Sequence, residues 1–343
     1  MIESSGTAPV ITGSWIDVVH ANARDGVYWN RCTLAYSAAE WRTLVRHLRR
    51  DLGVELLLLQ NTAKDGGAVY PSKIESWQWH TRNCVDPVGA LISACSAEGM
   101  KFYPGVGAPL AHHLGGPEPY SEAAFRWYAA MSEEMFGRYG AEPAWSGWYL
   151  FHEMAVRRGL FAPHEIAFAR RLVDEWKRLT PGQPVIASPY FEGGWARIDP
   201  ASSDELARQV EASGLDIIAY QDGVGVGTAR QLESHAEAGN NAPLFEALRR
   251  VHDRTPCRLW ANCETFSFEN EIWGQPLIPA PFERIRQQCA GAAPFVDRIV
   301  AYIVPGTLTS QVVCPGLGAP ETESRYADYR RYLTEVGHPA RTG

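Results

Sequence analysis

Two glutamates, Glu153 and Glu264, each close an apolar run: Gly147-Trp148-Tyr149-Leu150-Phe151-His152-Glu153 and Cys257-Arg258-Leu259-Trp260-Ala261-Asn262-Cys263-Glu264. Runs of this kind read as buried strands that deliver a carboxylate at their C-terminal ends. Two carboxyls sharing one pocket can cut a glycosidic bond. One protonates the departing oxygen, and the other attacks the anomeric carbon or orients water. The separation sets the outcome, ~5–5.5 Å for retention and ~6.5–9.5 Å for inversion. Asp222 is a competitor for the second role, because Glu153 with Asp222 would suit acid–base work in a lyase or isomerase.

Such a pair has to be held by a repeating scaffold, and the chain supplies one. Continuous apolar runs recur near 11–20, 54–60, 101–106, 145–153, 184–190, 216–222, 258–264 and 298–304. Runs without alternation are expected of parallel strands covered on both faces. Helical patterns fall between them. Trp41, Leu44, Val45 and Leu48 share one face behind Ser37, an N-cap with Glu40 three residues on. Ile166, Ala169, Leu172, Val173 and Trp176 form a second stripe that stops at Thr180-Pro181-Gly182. Further helices are expected at 87–99, 121–139, 202–213, 242–253, 281–291 and 322–336. Eight βα units predict an α/β fold, a (β/α)8 TIM barrel, as a single domain over residues 1–343. An open doubly wound sheet is the alternative. The long loops at 61–86 and 107–120 read as binding walls.

In such barrels chemistry sits where the strands end. The residues expected there to contact substrate are Trp15, Asp17, Gln60, Asn61, Tyr103, His152, Tyr190, Tyr220, Gln221, Asp222, Asn262, Trp273 and Tyr302. Glu192 also falls at a strand end. Asn262 lies two residues before Glu264 and so shares its face. Tyr220 and Tyr302 are placed to hydrogen-bond the nucleophile or to fill the barrel. Trp77, Trp79, Trp195 and Trp273 are candidate walls against which a sugar face would stack. Trp41 and Trp176 belong to helix stripes and read as core.

Bulk properties narrow the partners. Of the 343 residues, 45% are hydrophobic and 21% charged, an ordinary globular balance. A net charge of −7 without a long basic cluster argues against nucleic acid and against an anionic membrane. No apolar run is long enough to span a bilayer. Seven cysteines without a Cys-x-x-Cys pair suggest reduced thiols. With no basic-then-apolar leader visible, a cytoplasmic location is expected. Gly223-Val224-Gly225-Val226-Gly227 after the sixth run invites a phosphate reading, but dinucleotide spacing is missing. His20, His80, His112, His113 and His152 show no metal-binding spacing, so no metal and no cofactor are expected. No Gly-x-Ser-x-Gly elbow is present.

Gly147-Trp148-Tyr149 leading to His152-Glu153, Asp216-Ile217-Ile218-Ala219-Tyr220-Gln221-Asp222-Gly223-Val224-Gly225, and Leu259-Trp260-Ala261-Asn262-Cys263-Glu264-Thr265-Phe266 together resemble a bacterial family. Its members carry only a domain-of-unknown-function label and are grouped with glycoside-hydrolase-like barrels. The resemblance runs from Trp15 to Tyr302 and implies a barrel and sugar chemistry. More broadly the chain resembles clan A retaining glycosidases. By position that resemblance implies Glu153 as acid/base and Glu264 as nucleophile. The clan has Asn immediately before the acid/base, to hold the sugar 2-hydroxyl, where this chain has His152. Asn262 is a candidate for that contact. The expectation is a retaining glycoside hydrolase acting on a small glycoside, oligosaccharide or glycosylated natural product. The other reading is a carbohydrate-binding barrel without catalysis.

Overall fold

The computed structural model describes residues 8–20, 22–79, 81–192, 200–230 and 240–338. Eight parallel strands form one sheet: β1 Gly13–Ile16, β2 Leu56–Leu59, β3 Lys101–Pro104, β4 Trp148–Leu150, β5 Val185–Ala187, β6 Ile217–Gln221, β7 Arg258–Glu264 and β8 Arg298–Tyr302. Their order is β3-β2-β1-β8-β7-β6-β5-β4. The seam between β3 and β4 is joined by two parallel bridges, Phe102 with Trp145 and Gly105 with Tyr149. The Phe102 N–H donates to the Ala144 carbonyl at 2.7 Å across it. The expected (β/α)8 TIM barrel is therefore observed, and the open sheet is not.

A helix follows every strand: α1 Ala38–Leu52, α2 Pro87–Ala97, α3 Glu122–Tyr139, α4 Pro163–Leu179, α5 Pro200–Ser213, α6 Ala242–His252, α7 Phe282–Ala292 and α8 Thr322–Glu335. The capping box at α1 is formed. The Glu40 N–H donates to Ser37 Oγ at 3.3 Å, and the Ser37 N–H donates to Glu40 Oε2 at 2.7 Å. Helix α4 ends at Thr180, and Trp176 from its stripe stacks on Trp148 at 5.4 Å.

Alternation along the strands divides the core in two. Trp15, Leu56, Leu58, Tyr103, Tyr149, Ile186, Ile217, Ala219, Trp260 and Val300 fill the barrel, while Leu57, Leu59, Phe102, Trp148, Leu150, Ile218, Tyr220 and Cys263 pack under the helices. Each buried Leu of β2 contributes about 1.5–3 kcal/mol. The guanidinium groups of Arg258 and Arg298 lie 6.0 and 5.6 Å from the Trp260 ring, at the N-terminal ends of β7 and β8. Gly147 enters β4 with φ 141°, where a Cβ would sit 2.1 Å from the Pro184 carbonyl oxygen. Only glycine permits that approach.

Several elements carry no clear sequence pattern. Short helices lie at Val27–Thr33 and Val224–Arg230, and a hairpin pairs Phe266–Phe268 with Leu277–Pro279. The loop after β2 folds into a small three-stranded sheet. Beyond β4 and β5 the chain pairs again in parallel, Ala155–Arg157 with Tyr190–Glu192. Glu153 thus lies between the end of β4 and this outer pair. Among the described residues no helix is long and apolar enough to cross a membrane.

Candidate active site

The interior face continues upward past the fillers. Gln221 follows Ala219, Asn262 and Glu264 follow Trp260, and Tyr302 follows Val300. These groups therefore rise toward the C-terminal mouth. Register places Gln221 beside Asn262 and Glu264 beside Tyr302. A hydrogen-bonded arc crosses the mouth. Gln221 Nε2 donates to Glu153 Oε1 at 3.2 Å and to the Ser188 carbonyl at 3.0 Å. Ser188 Oγ donates to the Ala219 carbonyl at 2.8 Å and accepts from Asn262 Nδ2 at 3.0 Å. Ser188 has no sequence signal, because a serine between Ala187 and Pro189 carries no pattern.

The two glutamates sit in different surroundings. Glu153 is open to water yet walled by protein, and burial raises its pKa while the Gln221 amide pulls it down. Glu264 is 3% exposed. Its Oε2 accepts the Val226 N–H at 2.8 Å, at the start of the Val224–Arg230 helix. Gly225 makes this approach feasible: a Cβ there would lie 2.9 Å from Glu264 Cβ and 3.0 Å from its Oε2. Burial first and the Asp222 charge second push Glu264 up to about 8, against the Val226 and Gly225 amides and Arg284.

Asp222 points the other way, into the helix layer. It accepts from Gln288 Nε2 at 2.7 Å, Asn241 Nδ2 at 3.0 Å, the Glu264 N–H at 3.2 Å and the Val224 N–H at 3.2 Å. Burial raises Asp222 and these donors lower it. With donors at both of its oxygens Asp222 holds the negative charge, and Glu264 takes the proton. Asp222 is thus an electrostatic neighbour of Glu264 from behind and does not face the mouth. This arrangement also answers the phosphate reading of Gly223–Gly227. The Val224 amide is taken by Asp222, and the Gly225 and Val226 amides by Glu264.

A second cluster closes the opposite wall. Tyr302 Oη donates to Asp17 Oδ2 at 3.0 Å and lies 3.1 Å from His20 Nε2. His20 Nδ1 accepts the Asn22 N–H at 3.3 Å, so its proton sits on Nε2 and is directed at the Tyr302 oxygen. Burial raises Asp17 to about 7, opposed by Tyr302 and by the charge of Lys64. Burial, with Lys64, lowers His20 to about 4. Tyr302 therefore serves Asp17 and His20, and it makes no hydrogen bond to Glu264.

Other expected site residues are dispersed. Tyr220 faces the helices, 5.7 Å from the Phe191 ring and 5.6 Å from His252, because Gln221 takes the inward position. Trp15 and Tyr103 are barrel filling. Gln60 and Asn61 are buried at the end of β2. His152 bonds through Nε2 to the Tyr120 hydroxyl, which also reaches Glu165 at 3.5 Å. Burial lowers its pKa, so it is a neutral group engaged by the α3 and α4 side. Tyr190 lies in the outer pair, where the Glu153 charge acts on it, and Glu192 pairs with Arg157 at 2.5 Å. Trp273 is half-exposed 5.0 Å from Phe268, and Trp77 lies 4.7 Å from Trp79. Trp195 and His80 lie outside the described residues. Among the described residues no three His, Cys, Asp or Glu side chains group to hold a metal, and all seven cysteines are free.

Sheet order and the bridged seam define a (β/α)8 barrel. The chain belongs to the family described as Domain of unknown function (DUF4434), whose model matches residues 11–311. The fold is similar to that of a putative alpha-L-fucosidase from Bacteroides thetaiotaomicron, with TM-score 0.67, 17% identity and 97% of each chain covered. It is also similar to a β-galactosidase from the psychrophilic Marinomonas ef1, at TM-score 0.53 and 10% identity over 96% of this chain and 60% of that one. A family 5 glycoside hydrolase from Streptomyces cattleya, solved with Manβ1-4GlcNAc, gives TM-score 0.50 and 12% identity over 96% and 82%. A search of the curated proteins finds no match.

Proposed function

We propose that the protein is a glycoside hydrolase that cleaves a small glycoside, oligosaccharide or glycosylated natural product with Glu153 and Glu264. One observation carries the reading. Glu153, Gln221, Ser188 and Asn262 are linked by hydrogen bonds around the mouth, and Glu264 rises from the same face two residues beyond Asn262. This arrangement supports placing both strand-end carboxyls on one wall of the mouth. By strand position Glu153 is the acid/base. It protonates the leaving oxygen, and water reaches it for the second step. Glu264 is the nucleophile, with the Val226 and Gly225 amides and Arg284 stabilising its ionised form. Attack forms a glycosyl–Glu264 ester and releases the aglycone. Water deprotonated by Glu153 then returns the carboxylate.

A second assignment has its own support. Glu264 is dry and raised to about 8, whereas Glu153, though also raised by burial, keeps contact with water and with the Gln221 amide. Environments that separate two carboxyls in this way mark the dry one as acid. In that case Glu264 donates the proton and Glu153 attacks. Glu153→Gln and Glu264→Gln, assayed on aryl glycosides, test the pair. Each variant is expected to lose about 10²–10⁴-fold in turnover while still binding sugar. Azide restores turnover with inverted anomer only in the variant that lacks the nucleophile. Full activity in both variants refutes the hydrolase.

A further inference from the structure

Three inward oxygens at the mouth lack partners. Asp17 Oδ1, Gln60 Oε1 and Asn262 Oδ1 accept no hydrogen bond from a described residue, although their residues are only 2, 6 and 3% exposed. Each lies two positions beyond a barrel filler, Trp15, Leu58 or Trp260, so alternation turns all three inward. Neighbouring Asn61 is 1% exposed and unpartnered at both side-chain atoms. Natural folds keep bare buried oxygens where a ligand or ordered water completes them.

The three inward oxygens are open acceptors. Ser188 gives its hydroxyl proton to the Ala219 carbonyl, so it must receive from Asn262 Nδ2, which leaves Asn262 Oδ1 as the open acceptor. Tyr302 already donates to Asp17 Oδ2, which leaves Oδ1. Glu153, through Gln221, and Glu264, two residues beyond Asn262, lie at the same C-terminal strand ends. The cation whose charge reaches Asp17 and His20 is Lys64, itself 3.4 Å from Asp65.

We infer that Asp17, Gln60 and Asn262 form the subsite for the sugar ring whose bond is cut. They select a glycone that offers hydroxyl or ammonium donors and reject a uronic acid. Placing the reacting ring there rests on the hydrolase reading. The selectivity follows from the balance of these atoms: an anionic glycone would set a carboxylate against three bare oxygens beside the carboxyls of Glu153 and Glu264, which outweigh the amide donors of Gln60 and Asn61. Asp17 is the discriminating residue, because it combines an open oxygen with ionisable charge.

The test is calorimetric binding of uncleaved aryl thioglycosides to the intact protein, in matched sets: glucoside, glucosaminide and glucuronide, and the galacto and manno equivalents. In at least one set the neutral or amino member should bind at least about tenfold more tightly than the uronide. Asp17→Asn turns an acceptor into a donor and should narrow that ratio by about tenfold. Equal or tighter uronide binding overturns the inference, as does an unchanged ratio in a folded Asp17→Asn or no binding in any set. The wild-type ratio decides alone should the variant not fold. Selective binding without turnover of any glycoside would sink the hydrolase and leave this selectivity standing. Turnover of a uronide would do the reverse.

Discussion

Asp222→Asn removes a buried charge from behind Glu264 while keeping the side chain's volume. Glu264 is raised from 4.5 to about 8, which corresponds to about 5 kcal/mol. Burial is the larger cause and survives the substitution. The Asp222 charge is the second, and a neighbouring charge moves a carboxyl by about 1–3 units. Glu264 should therefore titrate between about 5 and 7 in the variant. The new amide can be accommodated. Asn241 Oδ1 and Gln288 Oε1 are buried without partners, so rotating either amide presents an acceptor to it. The assay is a ¹³C NMR titration of protein labelled at glutamate side-chain carboxyls, with Glu264→Gln to assign the resonance. No substrate is needed. A Glu264 resonance that titrates near pH 4–5 in the wild type, or that does not move in a folded Asp222→Asn, refutes the electrostatic reasoning.

Gly225→Ala places a Cβ 2.9 Å from Glu264 Cβ and 2.7 Å from the Phe266 carbonyl, so Glu264 must shift. Turnover should fall about 10²-fold with a lower Tm, while Gly137→Ala, where the added Cβ meets open space, changes neither turnover nor fold. Normal turnover in a folded Gly225→Ala would show that the position of Glu264 does not matter. The pH dependence of stability has a definite sign. Asp17 and Glu264 have folded pKa values of about 7 and about 8, above their ordinary 3.8 and 4.5. Their contribution is complete below about pH 4, falls as pH rises above that, and is gone once pH has passed 7 to 8. His20, lowered from 6.5 to about 4, acts oppositely and costs stability as pH falls through that range. Tm should thus decline from about pH 5 to 8, most steeply above 6.5 where His20 no longer opposes, and level off beyond 8; Glu264→Gln should flatten the decline. An identical slope in that variant contradicts the assignment.

The barrel was legible because its strands are continuous apolar runs and its helices carry stripes and caps, as at Ser37–Glu40 and Thr180. The same continuity hid the facing of strand ends. In Ile217-Ile218-Ala219-Tyr220 both faces are apolar, so nothing in the run says that Gln221 turns inward and Tyr220 and Asp222 turn out. In β7 the polar Asn262 and Glu264 alternate with Ala261 and Cys263, and there the shared face could be read. The helix Val224–Arg230 contains two glycines and has low intrinsic propensity. It forms where Glu264 accepts its first amides, a contact between distant segments. Tyr302 reads as a nucleophile partner until His20 and Asp17 are seen to take its hydroxyl, and both lie on the first strand's loop.

The most direct measurement is a crystal structure of Glu153→Gln with a bound, intact glycoside. The account predicts the scissile bond between residues 153 and 264, with their carboxyl-type carbons about 5–5.5 Å apart. A sugar bound away from both side chains, or a separation beyond about 10 Å, outside the span that water-mediated cleavage uses, would contradict it.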